Sequence, residues 1–186
     1  MNRLLPAAML LVALLTSQRG HAQALPAATG PGTYVIVGGT FSGFASDYGK
    51  QTITGTSIFV DTNLFWRYGI ESEARRTVYP KLGERQTTLL AGPRLSFRAK
   101  GLIPYAKMLV GGGRFDFPYG YGHGDYFVVA PGAGVDLRLG QKVRVRMIDF
   151  EYQMWPGFSY GSLYPYGLSA GISFQLWGTS RTNRSK

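Results

Sequence analysis

The chain reads as an all-β protein, an eight-stranded antiparallel transmembrane β-barrel of up-and-down topology with short turns at one end and longer loops at the other. Three observations predict this. Eight segments alternate apolar and polar residues with a period of two, the side-chain period of a strand. They run about 11 to 14 residues, against ~5–6 for a typical globular strand and ~9–11 for the part of a tilted strand inside a bilayer. The connections alternate between tight and long, the plan of a barrel with short periplasmic turns and longer extracellular loops.

Composition narrows the classes further. The chain has 186 residues, 20 Lys and Arg against 10 Asp and Glu, no Cys, 2 His and 26 Gly. Without Cys there is no disulfide framework, thiolate metal site or cysteine nucleophile. Glycine is abundant but has no three-residue period, which excludes collagen and points to a turn-rich β protein. Mean hydropathy near zero resembles that of a soluble protein, but strands that are half apolar and half polar give the same average.

The elements follow in order. Residues 1–24 carry Arg3, an apolar run from Leu4 to Leu15 and small residues at Ala22 and Ala24, the pattern of a cleaved signal peptide. The run is too short for the ~17–25 residues of a spanning helix. Cleavage after Ala24 removes Arg3 and Arg19 and lowers the formal charge from +10 to +8. Residues 25–32 form a Pro/Gly/Ala lead-in, 33–177 the barrel and 178–186 a basic periplasmic tail. The spacing predicts strands over Thr33–Phe44, Thr56–Trp66, Tyr68–Val78, Gln86–Arg98, Leu102–Phe115, Tyr126–Leu139, Lys142–Met154 and Gly167–Trp177.

Each strand divides into an apolar and a polar face. Thr87, Leu89, Ala91, Pro93, Leu95 and Phe97 oppose Thr88, Leu90, Gly92, Arg94, Ser96 and Arg98, and Leu168, Ala170, Ile172, Phe174 and Leu176 oppose Ser169, Gly171, Ser173 and Gln175. A soluble ligand barrel would bury the apolar face. Here glycines such as Gly132 and Gly134 share the polar face with long charged side chains, which suits a crowded tube interior. Aromatics also gather at strand ends: Trp66, Tyr68, Tyr105 and Trp177 toward the turns, and Tyr48, Tyr79, Phe115, Tyr126, Tyr152 and Trp155 toward the loops. Two such girdles mark lipid interfaces, so the apolar face is expected outside.

Strand seven departs from the pattern. Strict alternation would place Asp149 and Glu151 on the lipid face with Met147. A bulge at Met147-Ile148 turns both acids inward. Pro93 and Pro131 run against the reading, because a closed barrel has no edge at which to hide a missing N–H.

The segments Asn63-Leu-Phe-Trp-Arg-Tyr-Gly-Ile-Glu-Ser-Glu, Leu102-Ile-Pro-Tyr-Ala, Pro131-Gly-Ala-Gly-Val-Asp, Val145-Arg-Met-Ile-Asp-Phe-Glu-Tyr and Ser169-Ala-Gly-Ile-Ser-Phe resemble the small outer-membrane β-barrel domain family related to the transmembrane part of outer membrane protein A, OmpX-like barrels included. The resemblance spans nearly all of the chain beyond the signal segment, and its motifs are barrel-building ones. It implies residence in the bacterial outer membrane, contact with outer-membrane lipids including lipopolysaccharide, and insertion by the barrel-insertion machinery.

The lumen is expected to hold Asp61, Glu71, Glu73, Asp136, Asp149 and Glu151 with Arg75, Arg94, Lys107, Arg138, Arg144 and Arg146. An eight-stranded barrel has room only for its own side chains, and buried charges need partners, so these residues are expected to plug the lumen as ion pairs. A narrow ion conduit is the competing reading. An outer-membrane lipid-modifying enzyme is another: lipid A deacylases resemble the chain in size and strand count, but Asp149 and Glu151 stand where those carry a His-x-Ser pair. His123 lies in a glycine-rich loop tip, and one imidazole without Cys or a second His is a poor metal site. No catalytic residue, metal or cofactor is expected. Phe117, Tyr119, Tyr121, Phe158, Tyr160 and Tyr164 in the third and fourth loops form a candidate surface-interaction region or an upper aromatic belt. No nucleic-acid recognition motif accompanies the basic excess. The expected protein is a monomer serving envelope structure or surface interaction.

Overall fold

The computed structural model describes residues 33–47, 52–79, 83–97, 99–117, 119, 122–158 and 161–178. The signal segment, the lead-in and the tail beyond Gly178 lie outside the described residues. Eight strands, β1 (Tyr34–Ala45), β2 (Thr52–Phe65), β3 (Tyr68–Tyr79), β4 (Glu84–Ser96), β5 (Leu102–Asp116), β6 (His123–Arg138), β7 (Val143–Tyr152) and β8 (Tyr166–Gly178), pair in chain order. The ladder closes when β8 pairs with β1, and every pairing is antiparallel. Closure leaves no edge strand, so all eight strands have partners on both sides.

Alternation sets the two faces as expected. Ile58, Leu89, Met108, Phe127, Ile172 and Phe174 point outward and are about half exposed or more, whereas Glu71, Arg94, Lys107, Arg146 and Glu151 point inward and are buried. A barrel with an apolar exterior and a charged interior is the inverse of a water-soluble one, and its outer surface is stable in hydrocarbon.

The bulge in β7 is present. Arg146 pairs with Gly171 and Asp149 with Ser169, so Met147 and Ile148 together face the single residue Ala170. Both bulge residues are exposed, at 51% and 46%, while Asp149 and Glu151 are fully buried. The extra residue switches parity, because the side-chain period is two. The prolines are accommodated without any change of register. The β4–β5 ladder lapses after Ala91–Val110 and resumes at Arg94–Lys107. Between β6 and β7 it lapses on the loop side of Gly132–Glu151 and resumes at Val129–Met154.

Several sequence expectations need correction. β2 begins at Thr52 and β6 at His123, so His123 opens a strand opposite Asp116 and is not a loop tip. Tyr105, Phe115 and Trp155 are not girdle residues. They are 3%, 0% and 0% exposed and lie inside the barrel. Phe158 is likewise buried, against its expected place on the surface. All four were assigned from their position along the strand or loop, whereas inward parity and the demand for filling volume decide where such rings go.

Candidate functional site: the occluded lumen

The inward faces of β2 to β7 contribute charges at the turn-side half of the barrel, beginning with Asp61 on β2. Glu71, Glu73 and Arg75 alternate on β3, Arg94 comes from β4, Lys107 from β5, Asp136 from β6, and Arg146, Asp149 and Glu151 from β7. Lys107 Nζ lies 2.8 Å from Asp149, 3.0 Å from Glu71, 3.1 Å from Glu151 and 3.6 Å from Glu73. Arg94 bonds Glu71 and lies 2.6 Å from Asp136 and 3.5 Å from Asp61. Arg146 meets Glu71 at 2.9 Å, Asp136 at 3.3 Å and Asp149 at 3.4 Å. Arg75 joins Glu73 at 2.7 Å and Glu151 at 3.3 Å. All six acids thus converge with four of the six expected cations. Arg144 instead lies over the Tyr34 ring, 4.5 Å from its centroid, and Arg138 is half-buried near the turn end of β6.

Glu71, Glu73 and Asp149 bring carboxylate oxygens within 4.8 Å of one another, a donor set that could hold a metal ion. Lys107 Nζ reaches all three. Its ammonium neutralises the cluster from within the chain, where a metal ion would have to displace it.

Aromatic rings complete the lumen. Arg146 sits 3.6 Å above Phe59, Arg94 3.7 Å above Tyr105, and Arg75 4.4 Å above Phe44. With Arg144 on Tyr34, all four arginines that are buried among the described residues lie over a ring. Each guanidinium bonds carboxylates or hydroxyls at its edge and offers its poorly hydrated face to the π-system, the geometry that favours Arg over Lys at such sites. Sequence reading missed these rings, although Phe59 stands two residues before Asp61 and Tyr105 two before Lys107, which puts them on the same face. Room for them comes from glycine. A Cβ on Gly134 would lie 2.6 Å from the Tyr105 ring, and one on Gly132 would lie 2.9 Å from Cε of Lys107.

A second layer fills the loop-side half of the lumen on the β4–β6 side. Leu90, Leu109, Phe115, Val128, Ala130, Trp155, Phe158 and Leu163 form a buried cluster, against which Phe117 and Tyr126 pack. Trp155 comes from the connection between β7 and β8, which folds back through a Trp155–Leu163 bridge. Its indole crosses Gly113, where a Cβ would lie 2.7 Å from ring atom Cζ3. The indole N–H donates to Gln153 Oε1 at 3.0 Å, and Gln153 Nε2 donates to Glu151 Oε1 at 2.8 Å. The apolar plug is thereby tied to the ionic layer.

The loop residues divide. Phe158 and Phe117 belong to the plug. Tyr119 is 72% exposed and Tyr164 42% exposed, the latter stacked on Tyr152 at 6.1 Å. The Tyr164 backbone N–H donates to the Asp47 carboxylate at 3.0 Å, linking the fourth loop to the first. Tyr121 and Tyr160 lie outside the described residues.

No family model matches the sequence, and no curated protein sequence matches it. Solved structures do match the fold. Neisserial surface protein A superposes with a TM-score of 0.63 at 14% identity, over 76% of this chain and 96% of that one. The N-terminal β-barrel domain of OprF from Pseudomonas aeruginosa superposes with a TM-score of 0.52 at 14% identity, over 78% of this chain and 99% of that one. At such identities the likeness is one of fold. With its closed eight-strand ladder, apolar exterior and charged interior, the chain has the fold of the small eight-stranded outer-membrane β-barrels on which it superposes.

Proposed function

We propose that the protein is a non-conducting barrel of the bacterial outer membrane, delivered by its signal segment and the barrel-insertion machinery, that serves envelope structure and presents its loops for surface interaction. The observation that carries this reading is the double occlusion of the lumen. An ionic layer centred on Lys107 and an apolar layer centred on Trp155 lie in series along the axis. An ion crossing the barrel would have to part paired charges and then displace packed rings, each at a cost of several kcal/mol. The burial of Asp149 and Glu151 inside the network supports a structural role over lipid-modifying chemistry, since neither carboxylate faces the lipid. Exposed Tyr119 and Tyr164 supply amphipathic contact surface at the loop end.

Reconstitution into planar bilayers tests the reading. The expected result is no steady ohmic current in molar salt from protein whose gel mobility shifts on heating. A stable conductance that scales with salt concentration overturns it in favour of a conduit.

A further inference from the structure

The turn end of the barrel carries charge of one sign. Its three turns, Trp66-Arg67, Phe97-Arg98-Ala99-Lys100-Gly101 and Leu139-Gly140-Gln141-Lys142, contain four cations and no acid. The first two are joined, since the Ser96 N–H donates to the Arg67 carbonyl at 2.8 Å, and the second hairpin is closed by the Phe97 N–H donating to the Pro104 carbonyl at 2.7 Å. Arg67 is held by rings. Its guanidinium lies 4.5 Å from the Trp66 centroid and 5.5 Å from that of Phe97. Both rings belong to the apolar exterior, at 52% and 40% exposure, flanked by Tyr68 at 59% and Leu102 at 41%. Trp66 takes a left-handed backbone conformation, φ 48°, which a bulky side chain rarely adopts and which tends to mark functional positions. Lys100, also left-handed at φ 43°, lies in the neighbouring turn three residues beyond Phe97.

We propose that Arg67, held between Trp66 and Phe97, together with Lys100 forms a binding site for the headgroup of an anionic phospholipid in the turn-side leaflet. The chemistry is direct. Aromatic rings at the interface set the depth of the barrel in the bilayer. A cation stacked on those rings is held at headgroup level, its N–H edge free of any neighbouring carboxylate from the turns. Arginine binds phosphate oxygens in bidentate fashion, and a second cation nearby selects a net negative headgroup over a zwitterionic one. The inference rests on the transmembrane reading of the exterior.

The chain's own tryptophans provide the test. Trp66 and Trp177 face outward at the turn end and Trp155 is buried in the lumen, so in W177F protein Trp66 is the lipid-facing reporter. The protein is reconstituted into phosphatidylcholine bilayers in which a minor fraction is replaced by brominated phosphatidylglycerol or, at equal fraction, brominated phosphatidylcholine. The expected result is stronger quenching of Trp66 by the brominated phosphatidylglycerol, corresponding to about fivefold preference per engaged cation. R67Q brings the two lipids to parity and K100Q narrows the gap. The W66F protein, reporting from Trp177, shows no such preference. Equal quenching of Trp66 by both lipids in protein with Arg67 intact overturns the site while leaving the membrane reading in place. Absence of quenching by either lipid overturns both.

Discussion

Lys107 Nζ on β5 lies 2.8 Å from Asp149 Oδ2 on β7, across the barrel wall contributed by β6. The contact exists only because the Met147-Ile148 bulge turns Asp149 inward. A local irregularity of one strand thus supplies an acid to a network fed by six strands, β2 to β7.

Replacing Lys107 by Met leaves Glu71, Glu73, Asp149 and Glu151 without their shared ammonium. Removing one partner of a buried pair costs about 3–5 kcal/mol. The urea midpoint of K107M in detergent or lipid is expected to fall accordingly. K107M combined with E73Q is expected to recover part of the loss, since one uncompensated acid is removed.

Deleting Met147 would leave Ile148 alone opposite Ala170, so that Arg146, Ile148 and Asp149 alternate strictly and both acids stay inward. That variant is expected to keep the heat-shifted, folded band on gels. Deleting Met147 together with Ile148 would set Asp149 next to Arg146, turn Asp149 and Glu151 to the lipid and remove both from the lumen, and it is expected to abolish that band.

Gly113 and Trp155 form a size-complementary pair. G113L is expected to destabilise the barrel by about 1–3 kcal/mol through overpacking, and W155A by about 3–5 kcal/mol through the cavity it leaves. The double variant should be more stable than the sum of the two losses implies, because leucine enters space the indole has vacated. Unfolding midpoints of the four proteins measure the coupling.

Arg146 over Phe59, at 3.6 Å, provides a desolvated cation–π pair for which a coupling near ~2 kcal/mol is expected. A cycle of F59L, R146K and the double variant measures it. R146K alone should lose more than a charge-conserving change suggests, because lysine offers neither the planar face for Phe59 nor the fork that reaches Glu71 and Asp136.

Much of this architecture is determined by sequence alone. Strand number, antiparallel order, the outward apolar face and the bulge at Met147 follow from a side-chain period of two, since one misplaced residue would put acids in lipid. Which charges point inward follows from the same parity, but which of them meet does not: Arg144 shares the inward parity of Arg146 and lies over Tyr34 apart from the acids. What alternation does not carry is height and neighbourhood. Phe115 and Trp155 have aromatic character and a position near a strand end, as a girdle residue does, yet both are buried inside. Phe115 shares the inward parity of Lys107 and Leu109 on β5, whereas the side that Trp155 takes is decided by the connection that folds the indole back over Gly113 and by the volume left unfilled above the ion pairs. The pairing of Arg146 with Phe59 and of Arg94 with Tyr105 likewise spans β7 to β2 and β4 to β5. The β4–β5 contact needs only the hairpin, whereas the β7–β2 contact comes into existence only when the sheet closes, because closure brings the inward faces of non-neighbouring strands within reach of one another.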